Sequence, residues 1–244
     1  MKNRKRKNLP VIIIVFAIGL NFVGCTTETD TKPLYENGTV TDIENNVYRT
    51  VKIGSQWWMA ENLNVKKFRN GNLILNAQSD ADWSSAAGAY CQYDNNAASP
   101  GLLYNHAAIT DTNNIAPEGW HVATDEDWKI LETTLGMSKT EADQSGWRGY
   151  ETANNLRIES PQGWTRFGNV WSTNESGFSA LAGGCRLPDG TWANPGLFAT
   201  GFWWSASDHE SIEAFYRYMD YKKTSVFRSH ANKKYGMSVR CVKD

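Results

Sequence analysis

The sequence predicts an α+β domain, on three observations. Short β-branched and aromatic runs bounded by Gly, Asn and Pro recur toward both ends of the chain. One amphipathic segment carries helix start and stop signals. The remaining segments are long and polar, as irregular connections are. With an N-terminal leader and tether set aside, roughly 205 residues remain, enough for one sizeable core and few for two domains.

Residues 39–60, TVTDIENNVYRTVKIGSQWWMA, predict three short strands. Val40 and Ile43 lead into Glu44-Asn45-Asn46, where asparagine tolerates the positive φ of a tight turn. Val47, Arg49, Val51 and Ile53 form the second strand, Gly54-Ser55 the next turn, and Gln56-Trp57-Trp58-Met59 the third. The helix is TDEDWKILETTLG: Thr124 caps it with Asp127 at N3, Trp128, Leu131 and Leu135 share one face, and Gly136 stops it. Asp125, Glu126 and Asp127 read as caps and solvated charges rather than metal ligands.

Residues 138–172 predict long loops with one short helix near 151–158. Strand signals return from Gly177: 178–181, GFWWSAS at 201–207, 214–221 and 236–242, with Lys222-Lys223-Thr224 as a hairpin turn. Neighbours on a strand point to opposite faces. Neither Trp57 and Trp58 nor Trp203 and Trp204 can therefore both face one ligand. One of each pair is expected in the core; the other packs under a loop or helix or reaches a surface.

Residues 1–24 join a basic stretch (Lys2, Arg4, Lys5, Arg6, Lys7) to an apolar run from Val11 to Leu20. That run is shorter than the roughly 20 residues that span a bilayer and suits a signal-peptide core. It ends in Phe22-Val23-Gly24-Cys25, which resembles the lipobox of bacterial lipoproteins. The resemblance implies cleavage before Cys25 and a diacylglyceryl-modified Cys25 thiol that anchors the chain to the outer membrane. Residues 25–38 are then a tether that cannot pack alone. Without residues 1–24, which hold five basic and no acidic side chains, 25 Lys+Arg and 26 Asp+Glu become 20 and 26, a net charge of −6. Nucleic-acid binding, which needs clustered Lys and Arg, is disfavoured.

Cys91, Cys185 and Cys241 remain. In an oxidising compartment two are expected to pair, and the residues alone allow three pairings. No CxxC motif or zinc-spaced Cys/His cluster occurs, so neither metal nor cofactor is assigned.

TVKIGSQWWMAENL, GAYCQYDNN, GLLYN, APEGWHVATDEDW, GFSALAGGCR, FWWSAS and SVRCVKD follow in order. Together they resemble the Fibrobacter succinogenes major paralogous domain, common in lipoproteins and secreted proteins of Bacteroidetes and Fibrobacteres, over residues 39–244. The resemblance implies a relative of the C-type lectin-like fold shared with formylglycine-generating enzymes, with small antiparallel sheets, one or two flanking helices and long loops. It implies no activity. Ala123 and Cys185 depart from the family's blocks; with Cys185 the extra cysteine, the resemblance points to a Cys91–Cys241 disulfide. Recurrent WW blocks favour packing over a ligand platform for the tryptophans.

An enzyme is not expected. His106, His121, His209 and His230 lack HExxH spacing, GFSAL fails the GxSxG pattern at its last position, and Cys185 is a lone thiol. His121 reads as a packed or hydrogen-bonded histidine. Asp208-His209-Glu210 reads as a charged turn, with a ligand or metal site as the alternative. The Glu-Pro-Asn, Gln-Pro-Asp and Trp-Asn-Asp elements of a calcium-dependent lectin are absent. The expectation is a lipid-anchored envelope module binding a glycan or protein through long loops, with Trp192, Trp204 and Asp208 as candidate ligand contacts. The alternative is a structural component of the envelope with no small ligand.

Overall fold

A computed structural model describes residues 35–96, 99–159, 163–193 and 196–244. In chain order the strands are β1 (Asn37–Thr41), β2 (Val47–Ile53), β3 (Gln56–Met59), β4 (Leu75–Asn76), β5 (Ala89–Cys91), β6 (Leu103–Tyr104), β7 (Trp120–Val122), β8 (Gly146–Arg148), β9 (Thr200–Asp208), β10 (Glu213–Asp220), β11 (Val226–Asn232) and β12 (Cys241–Lys243). Among the described residues five short α-helices accompany them, more than the one or two expected: α1 (Asp80–Ser85), α2 (His106–Ile109), α3 (Asp125–Thr134), α4 (Lys139–Ala142) and α5 (Thr152–Leu156). The domain is α+β. Its sheets run β1-β2-β3-β12-β7, β8-β11-β10-β9 and β4-β5-β6. The first two are antiparallel throughout; β4 and β5 pair in parallel.

The three N-terminal strands form where expected, with Asn45 at φ 65° in the first turn and Gly54 at φ 61° in the second. Helix α3 starts with the predicted capping box: the Thr124 hydroxyl accepts from the Asp127 N–H, and the Asp127 carboxylate accepts from the Thr124 N–H at 2.9 Å. The short helix expected near 151–158 forms as α5, and residues 138–172 hold α4 and β8 besides. Segment 178–181 makes only an isolated bridge, Arg157 to Ala180, and its carbonyls also serve side chains. Those of Phe178 and Ser179 accept from Arg240, and that of Ala180 accepts from Trp164 Nε1. The last strand, expected at 236–242, forms at Cys241–Lys243, inserted between β3 and β7, and 236–238 make isolated bridges.

The tryptophan pairs show why alternation settled only half of their role. Trp203 packs with Trp58, Trp128 and Phe178, whereas Trp204 packs with Tyr104, Met237 and Val239. The two indoles do point to opposite faces of β9, but both faces are covered, and each ring is fully buried. Each N–H is also satisfied: Trp203 Nε1 donates to Asn62 Oδ1 at 3.0 Å, and Trp204 Nε1 to the Tyr104 carbonyl at 2.9 Å. In the other pair Trp58 is core, and half-buried Trp57 rests against the cluster that holds Trp204.

The expected Cys91–Cys241 disulfide is not formed. Cys91, Cys185 and Cys241 are free and buried. Cys91 sits in β5 among Ala77, Trp83, Ala89 and Leu103, while Cys241 sits in β12 within the larger cluster around Met59 and Tyr104. Different sheets hold the two residues in separate apolar clusters. Burial pushes all three thiols up, Cys91 to about 11 and Cys185 to about 12.

Candidate functional site

Sheet β8-β11-β10-β9 reverses the usual sorting of residues. Trp147-Arg148 on β8, Phe227-Arg228 on β11 and Arg217-Tyr218 on β10 each alternate an aromatic with an arginine. In every pair the arginine is buried and the aromatic is at least partly exposed. The arginines turn under the sheet toward α3, whose first and third turns supply Asp125 and Glu132. Glu132 accepts from both terminal nitrogens of Arg148, at 2.9 and 3.0 Å, and from Arg217 Nε at 2.7 Å. Asp125 accepts from Arg217 at 2.7 Å and from Arg228 at 2.7 and 3.0 Å. Burial raises the Asp125 carboxyl, but the hydrogen bonds and charges of Arg228 and Arg217 outweigh it and hold it down at about 2.

The opposite parity carries the aromatics. Trp147 lies across from Phe227, Phe227 from Tyr218, and Tyr218 from Phe202, so one cross-strand row spans all four strands. Ring centroids along it are 5.2, 6.1 and 4.5 Å apart, and Trp147 is 39% exposed. The Lys223 ammonium stands 5.8 Å from the Trp147 ring, and the Tyr218 hydroxyl donates to Asp220 at 2.7 Å.

Next to Phe202 the sheet borders a cavity of about 500 Å³. Tyr216, Tyr235, Leu187 and Cys185 form much of its apolar wall, and Glu213, His230 and Asn232 border it. Burial pushes the Tyr216 hydroxyl up to about 12, so it stays protonated and able to donate. Glu213 and His230 share the parity of Arg217 and Arg228; there the His209 and His230 rings stack at 3.9 Å, and His230 Nδ1 lies 2.6 Å from Glu213 Oε2. A second cavity, of about 460 Å³, is lined by Trp164, Arg166, Val170 and Trp171, but the Arg166 guanidinium covers the Trp171 ring at 4.2 Å.

The residues expected to contact ligand do not come together. Trp204 is buried beneath the His106 ring and out of a ligand's reach. Trp192 is half-buried, and its ring packs on Tyr93 at 4.8 Å and on the Arg186 guanidinium at 4.7 Å, with Trp83 also 5.0 Å from that guanidinium. It clamps a loop. Asp208 is exposed, but it pairs with Lys233 at 2.8 Å. His209 finds partners in Glu213 and His230 on neighbouring strands, not in the adjacent Asp208 and Glu210. His121 is hydrogen-bonded as expected, to Asp127 at 3.0 Å and Asp244 at 2.7 Å, and the Asp127 contact leads in raising it to about 9. Cys25 lies outside the described residues.

Sequence reading missed the row because Trp147 lies in a stretch read as loop and β11 carried no strand assignment. The alternation in FYRYMD was the available signal, masked by the expectation that arginine faces water.

The family described as the Fibrobacter succinogenes major domain matches residues 51–243. The chain belongs to that family. No curated protein and no solved structure matches it. The Fibrobacter succinogenes major domain match runs from β2 to the end of β12 and takes in the aromatic row, the cavity and the arginine layer.

Proposed function

We propose that this protein is a lipid-anchored binding module of the cell envelope that engages a glycan along the aromatic row and the adjoining cavity. One observation carries the reading: four aromatic rings in register, accessible from one side, lead to a cavity walled by Phe202, Tyr216 and Tyr235. Apolar ring surfaces suit the C–H faces of pyranoses, and the Tyr216 hydroxyl can exchange hydrogen bonds with sugar hydroxyls. A concave site with a few convergent polar groups is the usual form of a ligand site. The contact surface in this reading is the sheet face, not the long loops. The role is non-catalytic: the cavity's one thiol is held protonated by burial.

Glycan-array screening of the full chain tests the reading, followed by titration of any hit. Trp147→Ala and Tyr218→Ala should each weaken binding about tenfold or more, equivalent to roughly 1.4 kcal/mol. No glycan bound, or full affinity in both variants, overturns it.

The N-terminal pattern supports attachment at Cys25, with 25–38 as tether and 39–244 as the binding domain. Cys25→Ala should abolish lipid labelling and accumulate precursor; normal processing of that variant rejects the anchor. The small antiparallel sheets and short helices support kinship with C-type lectin-like folds.

A further inference from the structure

We infer that His209, Glu213 and His230 form a binding site for a divalent transition-metal ion of the Zn²⁺ class. His209 lies in the turn after β9, Glu213 opens β10 and His230 lies in β11. One donor atom from each falls within 4.8 Å of the other two. Zinc–ligand bonds of about 2.0–2.2 Å place neighbouring tetrahedral donors roughly 3.3 Å apart. The three donors therefore need to shift by only about 1–1.5 Å, which side-chain torsions supply.

The backbone already fixes the supports. His209 N–H donates to the Glu213 carbonyl at 3.0 Å, and Glu213 and His230 sit in the β10–β11 ladder opposite Asn232 and Phe215. The Phe215 ring meets both imidazoles edge-on, at 4.9 and 6.5 Å. Two imidazole nitrogens with one carboxylate select zinc-like ions over the oxygen-preferring Ca²⁺ and Mg²⁺. Three protein ligands leave a coordination position open. The site does not depend on the aromatic row taking a glycan.

Calorimetric titration of Zn²⁺ into the metal-free full chain tests this. The expected result is saturable binding of one ion per chain, with Zn²⁺ raising the melting temperature. His209→Ala and His230→Ala should each weaken binding about tenfold or more, and Glu213→Gln should weaken it as well. His209 is exposed, so its variant should melt like the parent without metal and keep the test independent of folding. His121→Ala should bind as the parent does. The proposal is overturned by absence of saturable binding, by parental affinity in both histidine variants, or by equally tight Ca²⁺ binding.

Discussion

The two faces of sheet β8-β11-β10-β9 come from the same strands and do opposite work. Beneath it, Arg148, Arg217 and Arg228 are buried against Asp125 and Glu132 of α3. Above it, Trp147, Phe227, Tyr218 and Phe202 are partly open to solvent. Hydrophobicity alone would place the aromatics inside. The arginines can occupy the interior because two carboxylates on one helix meet them with directed, partly bidentate bonds, and a buried charge is tolerated only when paired. The difference teaches that on these strands charge pairing fills the inner face and leaves aromatic surface partly open on the outer one.

The inner face should break first. Glu132→Gln leaves Arg148 and Arg217 buried with one fewer charge partner, and removing one member of a buried pair costs about 3–5 kcal/mol. Urea unfolding checks this; a loss under 1 kcal/mol would make the arginine layer incidental. Trp203→Ala and Trp204→Ala should each cost a comparable 3–5 kcal/mol, roughly the range for large aromatic truncations in a core. Equal costs fit a strand covered on both sides, whereas a cheap Trp204→Ala would mean that its face opens.

Acid should act through the same layer. The Asp125 carboxyl sits at about 2 against an ordinary 3.8, so its contribution is fully present above about pH 4 and is lost as pH falls toward 2. His121 titrates with the opposite sense. Raised from 6.5 to about 9, it contributes fully below pH 6.5 and loses that contribution as pH rises through 9. His121 is over a third exposed, so its alkaline effect should be smaller than the acid one. Melting temperatures across pH, compared with Asp125→Asn and His121→Ala, separate the two limbs.

The outer face should be the least sensitive in stability. Trp147→Ala removes cross-strand contacts worth about 0.2–1 kcal/mol each and leaves the arginine layer intact. A melting shift like that of Glu132→Gln would erase the contrast between the faces.

Local rules recovered the parts of the fold that local chemistry determines. Asn45, Gly54 and the Thr124–Asp127 box each satisfy a backbone requirement within a few residues, so their strands and helix were legible. Alternation separated Trp203 from Trp204 but could not reveal a second covered face, because the residues covering it come from distant segments. Asp125 looked like a cap and is one end of a buried network, since its partners lie on β10 and β11, far along the chain. The candidate site was illegible for the same reason: Trp147, Phe227, Tyr218 and Phe202 meet only through strand register. Nor does spacing along the chain bring His209 to Glu213 and His230 while leaving it apart from the function of its neighbour Asp208.

Strand β12 has a consequence for the order of assembly. Val242 pairs with both Trp58 of β3 and His121 of β7, so an interior strand of the five-stranded sheet comes from a segment more than a hundred residues beyond its neighbours. Arg240, just before it, donates to Met59, Asn62, Phe178 and Ser179 and ties that late segment to early ones. Contacts so distant along the chain make closure slow. Until residues 240–243 emerge, β3 and β7 each present an unpaired edge, and nascent chains are prone to self-association at those edges. This domain completes its five-stranded sheet only when β12 joins β3 and β7, in a single late insertion.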